Sequence, residues 1–168
     1  MKAPEKQNEI IELFKRGTDI LKDALAGLSS SELDYVPSSG GWTIRQIIHH
    51  ITDGDDLWKI CIKIALGNEQ AEFSLQWYMA QPQTEWAKCW CYEDRSIEES
   101  LALFKANRDH ILQLMEYAPD GWTKSVQFRN SNGEIELVPV GFVIQMQTDH
   151  VAHHVKRILA IRKEIAAT

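Results

Sequence analysis

The sequence predicts an all-α fold: a four-helix bundle with a long crossover between helices 2 and 3 and a small β-hairpin before helix 4. Three observations carry this. Four segments repeat apolar residues at the three- and four-residue steps of an amphipathic helix. The stretch 67–95 is long and has no clear period. Finally, 126–137 alternates apolar and polar residues around Asn130-Ser131-Asn132-Gly133, which is turn chemistry. A chain of 168 residues fits one domain spanning 1–168, with a sizeable core.

Helix 1 is expected from Pro4 to Ala26, because Ile10, Ile11, Phe14, Ile20, Leu21 and Leu25 recur at helical spacing and Gly27 supplies a stop. A loop over Ser29–Gly41, containing Pro37, leads to Trp42. There Thr43 and Gln46 form a T-x-x-Q capping box, which starts helix 2 at Ile44 and carries it to about Leu66. The crossover holds Phe73, Trp77, Tyr78, Trp86, Trp90 and Tyr92, with a short helix opening at Pro82-Gln83-Thr84-Glu85. A connection this long and this aromatic either covers a site or fastens itself to the bundle. Helix 3 starts at Ser96 with the box Ser96-Ile97-Glu98-Glu99 and runs through Leu101, Phe104, Ile111 and Leu114 toward Pro119. Pro139 suits the first turn of helix 4, which extends toward Ile165.

Composition narrows the function classes. A chain that is 44% hydrophobic and 25% charged is an ordinary globular protein. A net charge of -6, a pI near 5.5 and no Lys/Arg cluster speak against nucleic acid as a partner. The N-terminal residues lack the apolar run of a signal peptide and no stretch is long enough to span a membrane, so a cytoplasmic protein is expected. Three cysteines, with Cys89 and Cys91 two apart, make neither a disulfide framework nor a zinc pair, and all are read as free thiols. Cys61, among Trp58, Ile60, Ile62 and Ile64, is a small buried hydrophobe.

The chemistry concentrates in the histidines. Three of the six fall within Thr148-Asp149-His150-Val151-Ala152-His153-His154. His150 and His154 are one turn apart, about 6 Å along a helix axis, and both lie on the stripe Val143, Gln147, His150, His154, Ile158, Ile161, Ile165. His153 falls on the flank. On helix 2 the stripe Thr43, Ile47, His50, Gly54, Leu57, Cys61, Ile64 has the same period and turns His50 inward, while His49 points away with Arg45, Thr52 and Asp56. A lone inward histidine is commonly a hydrogen-bonded core residue, but here it faces a second helix with two more at ligand spacing. His50, His150 and His154 are therefore the expected metal ligands. Gly54 either makes room beside the metal or marks a close helix crossing. Asp53 either orients a ligand histidine, serves as a base or is a solvated carboxylate. His110 stands alone and is assigned no chemistry.

What is missing narrows the metal chemistry. Val151 after His150 removes the His-Glu-x-x-His arrangement, and no Glu stands three residues before any histidine, which removes the Glu-x-x-His pairs of di-iron bundles. One divalent metal ion on three neutral imidazoles remains, with a position open to water or substrate. Zinc, nickel, iron and manganese are the candidates.

These residues resemble a known family. Gly41-Trp42-Thr43-Ile44-Arg45-Gln46-Ile47-Ile48-His49-His50-Ile51-Thr52-Asp53, with His150-Val151-Ala152-His153-His154 far downstream and a hairpin before the last helix, is similar to the YfiT-like branch of the DinB/YfiT-like superfamily. The resemblance covers essentially the whole chain. It implies a four-helix bundle with a long crossover, a divalent metal on three histidines falling here on His50, His150 and His154, and a homodimer. It also implies a function, since YfiT-like proteins are described as metal-dependent hydrolases and resemble bacillithiol S-transferases, with mycothiol or glutathione used in other branches. Asp53-Gly54-Asp55 stands where that branch tends to have Asp-Ser-His, so the substrate need not be shared. The expected function is a metal-dependent enzyme acting on a small-molecule substrate. S-transfer from a low-molecular-weight thiol cofactor comes first and hydrolysis second, with a non-catalytic metal- or ligand-binding bundle as the third reading.

Overall fold

The computed structural model of the protein describes residues 3–167, and among these described residues four long helices dominate: α1 (Ala3–Leu25), α3 (Ile44–Gly67), α6 (Ile97–Tyr117) and α7 (Val140–Ile165). Short helices α2 (Ser30–Leu33), α4 (Gln76–Met79) and α5 (Gln83–Cys89) sit in the connections. Both α1 and α3 pack against α6 and α7, so the order around the bundle is α1, α7, α3, α6. Among the described residues no helix is long and apolar enough to cross a membrane.

Local chemistry sets the helix phases. Thr43 Oγ1 accepts from the Gln46 N–H at 3.3 Å and Gln46 Oε1 accepts from the Thr43 N–H at 2.9 Å, which starts α3 where the sequence places it. The same device at Ser29 and Glu32 opens α2 inside the stretch expected to be loop. One turn is too short to show a period. Ser96 caps α6 differently from expectation: its hydroxyl accepts from the Glu98 N–H at 3.3 Å and donates to Glu99 at 2.7 Å, without reciprocal closure. Pro139 lies one residue earlier than expected, as the residue before α7 rather than its first turn.

The hairpin is part of a larger sheet. Strand β2 (Ser125–Arg129) pairs antiparallel with β3 (Ile135–Pro139), and β1 (Glu72–Ser74), contributed by the crossover, pairs parallel with β2. Phe73 stands opposite Phe128. Three residues give no legible alternation, so β1 was hidden in the sequence.

Two apolar clusters fill the bundle. One gathers Phe14, Cys61, Ile62, Ile111, Val126 and Ile144, and the other gathers Leu21, Ile47, Ile51, Phe104, Val151 and Ile158. Between them on α3, α6 and α7 lie buried polar residues, among them Asp55, Asn107, Arg108 and Gln147. Arg108 on α6 is 1% exposed, donates to Asp55 Oδ2 of α3 at 2.7 Å, to the Phe14 carbonyl of α1 at 2.7 Å and to the Gln147 carbonyl of α7 at 3.2 Å. The guanidinium also lies over the Phe14 and Phe104 rings, 4.2 and 4.6 Å from their centroids. One side chain thus ties all four long helices together, and it meets α7 one turn before His150.

Candidate metal centre

The bundle brings His50 of α3 against His150 and His154 of α7. His50 Nε2 lies 2.9 Å from His150 Nε2, and His154 Nε2 lies 3.1 Å from the same atom. Among the described residues this is the group of three whose ligand atoms all lie within 4.8 Å of one another. Bonds of about 2.0–2.1 Å from a tetrahedral zinc put their nitrogens about 3.3 Å apart, so the observed spacing fits one ion held by three imidazoles. Proton bookkeeping points the same way. His150 Nε2 has either one lone pair or one N–H to offer, and cannot make two good hydrogen bonds with two other ring nitrogens.

Burial keeps these rings neutral. It pushes His50 and His154 down to about 3 and His150 to about 4, with neighbouring histidines and Arg157 or Arg108 adding to the effect. Neutral imidazole is the form that binds metal. Trp42 packs edge-on against His50, with centroids 4.7 Å apart, and fixes that ring from the side of the loop before α3. Gly54 meets the His150 ring directly. A Cβ there would stand 3.4 Å from His150 Cε1, an ordinary contact, so a methyl group would fit against the ring, and Gly54 also borders a cavity.

Three residues differ from their sequence reading. His49 does point away from the cluster but is fully buried, with Nδ1 2.8 Å from Ser100 Oγ and Nε2 3.3 Å from the Arg95 carbonyl. Thr52 beside it is buried too and donates to the Ser100 carbonyl at 3.1 Å. Helix α3 is sandwiched between α6 and α7 and so has two buried faces, where a single stripe marks only one. Asp53 contacts none of the ligand histidines. It accepts a 2.5 Å hydrogen bond from the Tyr92 hydroxyl of the crossover, and burial raises its pKa. Asp55, not singled out from sequence, is the fully buried partner of Arg108. The signal was there on α6, where Arg108 completes the stripe Phe104, Arg108, Ile111.

His153 and His110 are exposed. Cys89 and Cys91 are exposed free thiols, and Cys61 is buried with its thiol pushed up to about 12, which makes it inert. A cavity of about 220 Å³ opens beside the histidines, lined by His50, Gly54, Leu57, Trp58, Tyr78, Gln83, Met146, Gln147 and His150. Tyr78 and Gln83 come from the crossover, where the Tyr78 ring stacks with both Trp86 and Trp90. The crossover therefore both fastens to the bundle and walls the cavity.

The chain is similar to known proteins in sequence and in fold. The model of the DinB superfamily matches residues 13–158. The chain is 28% identical to "Putative metal-dependent hydrolase OB0782" of Oceanobacillus iheyensis over 157 residues, 93% of this chain and 83% of that one. It is 25% identical to a "Putative metal-dependent hydrolase" of Geobacillus thermodenitrificans over 159 residues, 95% of this chain and 85% of that one. The solved structure of YfiT from Bacillus subtilis, described as "a probable metal-dependent hydrolase with an unusual four-helix bundle topology", superposes with a TM-score of 0.81 at 20% identity, covering 99% of this chain and 91% of that one. With its four-helix bundle, its long crossover and a family match over most of its length, the chain belongs to the DinB superfamily.

Proposed function

We propose that His50, His150 and His154 hold one divalent metal ion and that the protein is a metal-dependent enzyme acting on a small molecule, with thiol S-transfer as its first reading. A divalent ion on three neutral ligands supplies uncompensated positive charge, which lowers the pKa of a bound acid, whether thiol or water. The rest is the work of the chain. Trp42 and Gly54 hold the His50 and His150 rings in register, and Leu57, Trp58 and Met146 keep the adjoining cavity apolar.

The observation that favours thiol transfer is the absence of a carboxylic acid or lysine beside the site; the phenol in the cavity wall, Tyr78, has its pKa raised by burial and is a weak proton donor. Among the described residues no Asp, Glu or Lys lines the cavity; Asp53 is bonded to Tyr92 and Asp55 to Arg108. Hydrolysis of an amide or ester is helped by a group that protonates the leaving atom. A thiolate displacing a good leaving group from carbon needs none: the C–S bond forms, the bond to the leaving group breaks, and the thiol proton goes to solvent. The names of the relatives favour hydrolysis, which stands second. A cytoplasmic setting, where small thiols stay reduced, and a homodimer belong to the same reading.

The test is direct. Protein loaded in turn with zinc, nickel, iron or manganese is given cysteine or glutathione with an aryl halide, and separately a 4-nitrophenyl ester without thiol. Thiol-dependent conjugation that disappears with chelator is the expected result. Metal-dependent ester cleavage alone would put hydrolysis first, and inactivity with every metal would leave a binding bundle.

A further inference from the structure

We infer that the histidine cluster receives a small molecule carrying a carboxylate, and that the guanidinium of Arg157 is the group that holds this carboxylate. Reading that molecule as the thiol of the reaction rests on the enzyme proposed above; the pairing of Arg157 with a carboxylate does not.

Arg157 carries the inference because it is unmatched. It is half-buried on α7, and among the described residues it makes neither a hydrogen bond nor an ion pair. The other buried or half-buried arginines all have an acceptor. Arg45 holds Asp34 at 2.6 Å, Arg108 holds Asp55 at 2.7 Å, Arg129 holds Glu72 at 2.7 Å, and Arg162 holds the Ala24 and Ala26 carbonyls at 2.9 Å. A guanidinium drawn partly out of water with none of its five N–H donors matched invites an oxyanion.

Its place says where that oxyanion sits. Arg157 follows His154 by three residues, so the two share a face of α7. A Cβ built on Gly41, in the loop before α3, would stand 3.7 Å from Arg157 Nη2, and the next residue, Trp42, packs edge-on against His50. Gly41 is exposed, with a φ of 102°, so no side chain covers the guanidinium there. Burial lowers the pKa of His50 and His154 and the Arg157 charge lowers both further; the other charges acting on these two rings are histidines, and none is a carboxylate. A divalent ion on His50, His150 and His154 would therefore face a second cation with no negative charge between them. That arrangement costs metal affinity unless a ligand supplies the anion.

One guanidinium offers one bidentate pair of donors, which matches one carboxylate. Along α7 the cavity residue Met146 comes one turn before His150, and Arg157 comes one turn after His154, so the metal site lies between them. A molecule with its thiol on the ion and its carboxylate on Arg157 leaves the apolar cavity lined by Leu57, Trp58 and Met146 to the electrophile. Mercaptocarboxylates fit this description, and neutral thiols of the same size lack the second anchor.

The probes are 3-mercaptopropionate and 3-mercaptopropanamide, thiols of one size that differ in charge. Nickel-loaded protein is titrated with each, without any electrophile, and binding is read from the thiolate-to-nickel charge-transfer absorption. The acid is expected to bind at least about tenfold tighter, the factor one charge-assisted pair supplies. Arg157→Gln should bring the acid down to the amide's affinity and leave the amide and the nickel content unchanged. Equal affinities in the unaltered protein would overturn the inference. So would a preference that survives Arg157→Gln, because the metal alone would then be attracting the carboxylate, and so would loss of nickel from that variant, because Arg157 would then be a support of the histidines. A second measurement needs neither variant nor metal: in metal-stripped protein the Arg157 Nε–H resonance should move with the acid and stay put with the amide, and a resonance that treats the two alike sinks the inference. Because nothing is turned over, an inactive enzyme leaves this series standing, and failure of the series leaves the thiol-transfer assay untouched.

Discussion

Gly54 joins the two halves of the site, bordering the cavity on one side and the His150 ring on the other. A methyl group there stays in ordinary contact with His150, so Gly54→Ala should keep both metal and activity within a fewfold. Gly54→Leu should fill the cavity and remove turnover by about a hundredfold or more while the ion is retained, as steady-state rates and metal content would show. Arg108 is a different kind of residue, a structural one. Burial pushes its partner Asp55 up to about 6, above the unfolded value of 3.8, against the pull of the guanidinium. The raised value fixes the sign: the Asp55 contribution to stability is full below about pH 4 and is lost as pH rises through about 6. Arg108→Met removes the counter-charge and raises the carboxyl further. Urea denaturation should show a cost of about 3–5 kcal/mol near pH 8 and clearly less near pH 5. Equal costs at both would mean that an unpaired Asp55 is not the source. Gly17 belongs to this network, because a side chain there would overlap Arg108 Nη1.

The crossover is held to α3 by the part-buried hydrogen bond from Tyr92 to Asp53, by the contact of His49 with the Arg95 carbonyl, and by the ring contacts of Tyr92 with His49 and of Phe73 with Trp58. Tyr92→Phe deletes the donor and leaves a half-buried carboxyl unmet, at a cost of about 1 kcal/mol. Faster amide exchange confined to residues 72–95, with unchanged metal content, is the expected signature. Unchanged exchange would show that the other contacts hold the segment. How far each element was legible follows from its length and its number of buried faces. The stripes of α3 and α7 run for many turns, so they identified His50, His150 and His154 as neighbours before any coordinates. By contrast β1 and α2 are three and four residues long, too short for a period. The surroundings of His49 stayed hidden for another reason, since α3 buries two faces and a single stripe reports one. The Asp53–Tyr92 bond spans 39 residues and no local pattern encodes it.

Across the whole molecule, two apolar clusters fill the bundle without calling on the three histidines. Stripping the metal should therefore leave the helical circular dichroism in place and lower the melting temperature by several degrees, with recovery on adding back zinc. A chain that unfolded at room temperature without metal would mark the site as structural and remove the ground for an enzyme.

The most direct measurement is metal content per chain in single alanine variants of all six histidines. One divalent ion per chain is predicted for the unaltered protein and for the His49, His110 and His153 variants, with the ion lost from His50→Ala, His150→Ala and His154→Ala. Undiminished metal in His154→Ala, or a loss in His49→Ala equal to that in His50→Ala, would contradict the three-histidine site.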